Sequence, residues 1–112
     1  RSIIIIVATD IPLSERQLKR VSNRSVVGLT RTGSYLGNGS GDICISFTTA
    51  NKIKHYSNTS VIELKMVDEN ALEAVFKAVG ESVEESIISS MYHADTTTVI
   101  NDTTIKSLRE YL

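Results

Sequence analysis

The hydrophobic positions at the start of the chain form an uninterrupted run. Residues 3–7 are all isoleucine or valine, and Asp10 and Pro12 follow them closely. A β-branched run of this length predicts a strand over residues 2–9. Because hydrophobic and polar residues do not alternate within it, both faces of the strand should be covered by other elements. A chain of 112 residues has little material for two coverings, so the pattern suggests a partner chain.

The spacing of hydrophobic residues then changes to that of a helix. Ser14 and Gln17 stand three positions apart, as in a capping box, and a helix is predicted over residues 14–32. Gly33 is a suitable residue to end it. The apolar stripe of this helix is thin and includes three small residues: Ser22, Ser25 and Gly28. Small side chains of this kind predict close packing against a sheet or another helix.

Residues 37–42 have the most unusual local sequence. Glycine stands at every second position of this loop, and the apolar residues 43–47 after it predict a second strand that contains the single cysteine, Cys44, as a buried thiol. By itself the loop reads as a plain turn. A phosphate-binding loop would need a lysine and the opposite order of strand and helix, and a calcium loop would need different spacing and a final glutamate.

Three further elements are predicted in the second half. Irregular alternation over residues 61–66 indicates a third strand with one buried face. Asn70 starts a second helix that keeps the 3.6-residue period to Met91. A third helix is expected from a cap near Asp102, with Ile105, Leu108 and Leu112 on one side. The mixture of strands and helices predicts an α+β fold, with residues 1–112 as a single domain.

Composition narrows the function. The chain has 12 Lys plus Arg against 13 Asp plus Glu, so no basic surface is available for nucleic acid. No stretch reaches the roughly 18 apolar residues of a membrane span, and we expect a cytoplasmic protein without a membrane partner. His55 and His93 lack a second ligand at metal spacing and are interpreted as surface residues, so no metal or other cofactor is expected.

Three blocks of sequence together resemble a known family. They are SIIIIVATDIPL at residues 2–13, GLTRTGS at residues 28–34 and GNGSGDI at residues 37–43. In the same order they resemble the β-subunit of the L-aminopeptidase/D-esterase (DmpA-type) family, which includes the β-peptidyl aminopeptidases. The resemblance implies a four-layer αββα sandwich, with the opening strand in a central sheet. It also implies a precursor that cleaves itself before a serine, giving an α-chain and this β-chain, which stay together.

The resemblance also assigns the site. Ser2 takes the place of the nucleophile, Ser40 and Asp42 take those of two supporting loop residues, and the loop is completed by Asn38, Gly39 and Gly41. Some relatives have glutamate where this chain has Asp42. The implied activity is removal of an N-terminal residue from short peptides, amides or esters by a homo-oligomer of αβ units. The α-chain is expected to supply the oxyanion donors and most of the substrate pocket.

The chemistry of such a site needs a base beside the serine hydroxyl. The α-amine freed by self-cleavage can act as that base, because an α-amine has an unperturbed pKa of roughly 7.7 to 8.0. Ser40 could hydrogen-bond the nucleophile or its amine, and Asp42 could hold Ser40 or the protonated amine. One residue departs from the family pattern, since Arg1 stands where glycine or asparagine is expected before the serine.

Two other functions fit the same resemblance. An acyltransferase of the ornithine acetyltransferase type would pass the acyl group to an amine in place of water. An inactive relative, uncleaved between Arg1 and Ser2, would serve in assembly or in binding a small molecule.

Overall fold

The computed structural model describes residues 2–112. In chain order the elements are β1 (Ile3–Thr9), α1 (Glu15–Arg31), β2 (Asp42–Thr48), a 3₁₀ turn (Glu69–Ala71), α2 (Leu72–His93), β3 (Thr97–Thr98), β4 (Thr104–Ile105) and a second 3₁₀ turn (Leu108–Tyr111). The first strand, the two long helices and the second strand lie where the hydrophobic patterns predict them. The α+β class is confirmed.

The two long strands pair in parallel, with Ile3 opposite Asp42 and Thr9 opposite Thr48. Helix α1 connects them and returns across one face of the sheet, as in a βαβ unit. On that face Ile5 and Val7 pack against the helical core. Because the two strands are parallel, β1 and β2 begin at the same end of the sheet.

Helix α1 begins as the sequence predicts. The Ser14 hydroxyl accepts a hydrogen bond from the amide of Gln17 at 3.2 Å, and the Gln17 side chain accepts one from the Ser14 amide at 3.0 Å. Gln17 is fully buried and also donates to the Val67 carbonyl at 2.9 Å, so the same side chain ties the helix start to the segment before α2. After the helix, Gly33 adopts a φ of 102°, a left-handed conformation that favours glycine.

The small residues of α1 serve the close packing that their size predicts. The hydroxyls of Ser22 and Ser46 lie 2.5 Å apart, joining α1 to β2. At Gly28 the helix crosses α2 so closely that a Cβ atom would lie 2.5 Å from the carbonyl oxygen of Gly80 and 2.6 Å from Cβ of Val83. Backbone atoms of the two helices are thus in direct contact at this crossing.

The strand predicted over residues 61–66 is wrong for the described structure, where this segment has no regular secondary structure. It is held in other ways. The Asn51 side chain donates to the Lys65 carbonyl and accepts from the Lys65 amide, both at 2.8 Å, and the Val67 amide donates to the carbonyl of Pro12 at 2.9 Å. A strand requires a neighbouring backbone for its ladder, and no described strand lies beside these residues.

The third helix is also wrong in extent and start. Asn101 and Asp102 have φ values of 77° and 56°, so they form the turn of a small antiparallel hairpin, β3–β4, in place of a helix cap. Ser107 caps the short 3₁₀ turn that follows, accepting from the Arg109 amide at 3.3 Å. Asparagine and aspartate tolerate the left-handed region, and the tight turn therefore takes precedence over helix capping.

The face of the sheet that points away from the helices is apolar and exposed. It consists of alternate residues of the two strands: Ile4, Ile6, Ala8, Ile43, Ile45 and Phe47. Within residues 2–112 the helices cover only the other face, and these residues do not provide the predicted second covering. Among those residues, no helix combines the length and apolarity required to cross a membrane.

Candidate active site

The candidate site lies where the two parallel strands begin. Ser2 directly precedes β1, and the loop of residues 37–41 directly precedes β2. Because Ile3 pairs with Asp42, the preceding residues Ser2 and Gly41 also come side by side. The parallel register thus brings together two segments that are 39 positions apart in the sequence.

The amide of Gly41 donates a hydrogen bond to Oγ of Ser2 at 3.2 Å. The Ser2 side chain is exposed and does not point into the packed core. A Cβ atom at position 41 would lie 3.3 Å from the same oxygen, so the backbone of the loop approaches the hydroxyl closely. This contact fixes the position of the hydroxyl relative to the glycine loop.

Ser40 and Asp42 form a second contact in the loop. The hydroxyl of Ser40 donates to Oδ1 of Asp42 at 2.7 Å, and the amide of Ser40 donates to the Gly37 carbonyl at 2.9 Å, closing a turn around Asn38 and Gly39. A carboxylate that accepts a hydrogen bond from a hydroxyl group orients that hydroxyl. The geometry is the one expected if Asp42 holds Ser40.

A cavity between α1 and β2 reaches this loop. Its lining includes Ser22, Asn23, Leu36, Ser40, Asp42 and Cys44. Cys44 is half-buried there, less enclosed than the sequence suggested. Leu36 has a φ of 56°, which turns the chain into the glycine loop. Asp42 stands two positions before Cys44 and so lies on the same face of the sheet, the face that the helices cover. The cavity opens on this side.

The structure places the predicted site residues in two separate contacts: Ser2 with the loop, and Ser40 with Asp42. Ser2 contacts the loop through Gly41, whose amide no sequence pattern singles out as a donor. The only signal for it is glycine at a position of close approach. His55 and His93 are exposed, and no group of three potential metal ligands occurs within residues 2–112. Arg1, where the sequence departs from the family pattern, lies outside the described residues.

Comparison with known sequences gives related aminopeptidases. The chain is 38% identical over 107 residues to beta-peptidyl aminopeptidase BapA of Sphingosinicella microcystinivorans, covering 96% of this chain and 27% of the relative. It is 29% identical over 102 residues to the protein of the same name from Sphingosinicella xenopeptidilytica, covering 90% of this chain and 25% of the relative. The chain therefore spans about a quarter of the length of these curated relatives.

Solved structures give the same answer for the fold. A protein of Pyrococcus horikoshii OT3 superposes with a TM-score of 0.91 at 49% identity, covering 99% of this chain and 31% of its own. The L-aminopeptidase D-Ala-esterase/amidase of Ochrobactrum anthropi, described as a prototype for the serine aminopeptidases with a variant of the Ntn hydrolase fold, gives 0.85 at 34% identity, covering 98% and 34%. A Burkholderia β-aminopeptidase gives 0.79 at 28%, covering 92% and 31%.

These structural relatives establish that the βαβ unit and α2 are part of a DmpA-like, Ntn hydrolase-type sandwich. The family model for peptidase family S58 matches residues 1–105, which is nearly the whole chain. The chain belongs to peptidase family S58.

Proposed function

We propose that this chain is the nucleophile-bearing part of a self-processing serine aminopeptidase. The observation that carries the proposal is the position of Ser2, exposed at the start of β1 with its hydroxyl bonded to the glycine loop. Membership of a peptidase family and similarity to proteins named as aminopeptidases support it. The substrate class is an N-terminal residue linked as a short peptide, amide or ester.

The reaction begins with self-cleavage. Oγ of Ser2 attacks the carbonyl carbon of residue 1, the C–N bond to Ser2 breaks, and the Ser2 nitrogen takes a proton to become a free amine. The resulting ester between residue 1 and Oγ is hydrolysed by water, which frees the hydroxyl. Both steps conserve atoms and charge, and they produce the base that the next reaction needs.

Substrate cleavage then uses the same hydroxyl. As Oγ attacks the substrate carbonyl carbon, its proton passes to the Ser2 amine, which returns it to the leaving nitrogen as the scissile bond breaks. The acyl group is now an ester on Ser2. Water attacks this ester with the amine as base, releasing the acid and restoring the enzyme. Asp42 supports the site by holding the Ser40 hydroxyl at 2.7 Å.

The rest of the precursor is the proposed partner. The curated relatives are about four times as long as the matched segment, which leaves enough chain to cover the apolar face of the sheet. On that face Ile6 and Ile45 lie opposite each other and are 66% and 56% exposed. Contiguous apolar surface of this kind marks a protein interface.

The free edge of β1 offers the same partner a place for a strand. The Thr9 carbonyl accepts from the Thr49 amide on the β2 side. Because successive residues of a parallel strand direct their backbone groups to opposite edges, Ile4, Ile6 and Ala8 direct theirs away from β2. No described strand pairs with that edge. Helix α2 flanks it with small side chains that leave room for a strand: Ala78, Ser82 and Ser86.

Hydrogen exchange on the complete protein tests this partner. In residue-resolved measurements the amides of Ile4, Ile6 and Ala8 should exchange as slowly as amides in the interior of α2, because a strand of the partner bonds them. Residues 52–58 lie in an exposed connection and are the control for fast exchange. If the three β1 amides exchange as fast as residues 52–58, no strand occupies that edge.

Turnover of aminoacyl p-nitroanilides by the complete protein tests the activity. The wild-type protein should release p-nitroaniline, Ser2→Ala should not, and Ser57→Ala should match the wild type. Ser57 is a suitable control because its hydroxyl bonds to Thr59 within the exposed connection. Equal turnover by Ser2→Ala would refute the proposal. Transfer of the acyl group to an added amine at the expense of hydrolysis would identify an acyltransferase, and no turnover by the wild type would identify an inactive relative.

A further inference from the structure

We propose that the backbone amide of Gly41 is a catalytic hydrogen-bond donor to the Ser2 hydroxyl, and that glycine at position 41 permits their close approach. The inference rests on Ser2 being the nucleophile, as proposed above. It adds a group of this chain that acts on the reacting oxygen itself. The observations that carry it are the 3.2 Å hydrogen bond and the 3.3 Å distance from a Cβ atom at position 41 to the same oxygen.

The hydrogen-bonding capacity of the hydroxyl agrees with this role. A serine hydroxyl has one donor proton and two acceptor lone pairs. The Gly41 amide occupies one lone pair, the proton is left to pass to the Ser2 amine, and the second lone pair attacks the carbonyl carbon. Gly41 therefore orients the nucleophile without competing for the base.

The hydrogen bond should be stronger in the transition states than in the resting enzyme. As the proton leaves, Oγ gains negative charge, and a hydrogen bond to a charged acceptor is roughly twice as strong as one between neutral groups. Oγ gains charge again when it departs from the acyl ester. A donor that binds the transition state better than the ground state raises kcat and leaves KM nearly unchanged.

The loop shows why the residue is glycine. Of the described glycines, Gly33 is the one with a positive φ, so the backbone at position 41 does not itself exclude alanine. Added Cβ atoms at Gly37 and Gly39 meet nothing within 4 Å, whereas at Gly41 the Ser2 oxygen lies in the way. A methyl group there would displace Oγ by a few tenths of an ångström and so lengthen its hydrogen bond to the amide.

The experiment compares Gly41→Ala with Gly80→Ala in the complete protein. Gly80 lies in α2, away from the site, and an added Cβ there has the same nearest approach of 3.3 Å. We expect Gly41→Ala to lower kcat for an aminoacyl p-nitroanilide about tenfold or more with KM within about twofold, by comparison with removal of other donors to reacting oxygens. The rate of covalent labelling by a fluorophosphonate should fall by a similar factor. Gly80→Ala should match the wild type in both measurements. Unchanged kcat and labelling rate in Gly41→Ala would overturn the inference.

Two further variants separate this inference from other causes. Loss of activity in Ser2→Ala with no change in Gly41→Ala would refute the role of Gly41 and leave Ser2 as nucleophile, while an active Ser2→Ala would refute the nucleophile itself. If Gly41→Ala lowers Tm, the double variant Ser2→Ala/Gly41→Ala should have the same Tm as Ser2→Ala, which is uncleaved like the double variant, because the methyl group then has no oxygen to displace. A Tm that stays low in the double variant would show a general folding defect and contradict the inference.

Discussion

The hydroxyl of Ser40 donates a hydrogen bond to the carboxylate of Asp42, at 2.7 Å, in the loop that contacts the proposed nucleophile. The two residues therefore form a unit, in which the carboxylate sets the direction of the hydroxyl. Substitution of Asp42 by asparagine, which has a similar size but no charge, tests the electrostatic contribution of the carboxylate to this contact.

Asp42→Asn should lower kcat about tenfold in the complete protein. The amide oxygen still accepts from Ser40, but the charge that strengthens the bond is lost, and a charged acceptor roughly doubles the strength of such a bond. Steady-state kinetics on an aminoacyl p-nitroanilide measures the effect. Ser40→Ala and the double variant should lose no more than about the larger single effect, since the two residues act together.

A surface substitution provides the control for Asp42. Asp95 is 91% exposed in its side chain and pairs with Arg109 away from the loop, so Asp95→Asn removes a charge of the same sign without touching the site. Its kcat should equal that of the wild type. Multiplicative effects of Ser40→Ala and Asp42→Asn would show that the residues act independently, contrary to the structure.

The helix crossing predicts a difference between two glycines. In Gly28→Ala the new methyl group would meet the backbone of α2 at Gly80 and Glu84, at 2.5 and 2.7 Å, so the helices must separate at a cost of about 1–3 kcal/mol or more. In Gly80→Ala the nearest atom is a side-chain methyl carbon of Val27 at 3.3 Å. That neighbour can move, and the helix gains about 1 kcal/mol from alanine.

Thermal unfolding of the complete protein checks this difference. Tm should fall clearly in Gly28→Ala and change little in Gly80→Ala. Equal loss in the two variants would mean that the crossing is looser than the structure shows.

The exposed sheet face predicts an effect on assembly. Ile45→Asp places a charge at the centre of the apolar face, where an unpaired buried charge costs several kcal/mol if a partner covers it. The two fragments of the processed protein should then fail to copurify by size-exclusion chromatography. Ile53→Asp is the matched control, because Ile53 is 68% exposed but lies in the connection after β2. Normal assembly of Ile45→Asp would show that this face stays open.

Much of the fold could be predicted because local patterns determine it. The capping box at Ser14 fixes the start of α1, and the 3.6-residue period fixes α2 from Leu72 to near its end at His93. The small residues of α1 correctly indicated close packing, although the sequence could not show that Gly28 would meet the backbone of Gly80. That contact depends on the angle at which two helices cross, which no local pattern specifies.

Two predictions were wrong: the strand over residues 61–66 and the helix that begins near Asp102. In both segments the structure depends on interactions that the local pattern does not specify. Alternation over residues 61–66 is typical of a strand, yet a ladder needs a neighbouring strand. In the described chain, the side chains of Asn51 and Thr59 bond the backbone of this segment instead. At Asp102 the same residue type can cap a helix or occupy a left-handed turn, and the hairpin selected the turn.

The sequence assigns residues to the candidate site but does not show the contacts between them. Ser2, Ser40 and Asp42 are assigned to the site by resemblance to a family. The amide of Gly41 is identified as a donor only from the parallel register of β1 and β2. The sequence shows that the residue is glycine, but it does not show which atom its backbone amide binds.

Peptide mapping of the complete protein after fluorophosphonate labelling tests the role of Ser2 most directly. The digest must use a protease that cuts after glutamate, because trypsin would itself cut after Arg1 and imitate the processed terminus. We expect a peptide of residues 2–15 that begins with a free amine at Ser2 and carries the adduct on that serine. An adduct on another residue, or on a Ser2 still joined to Arg1, would contradict the account.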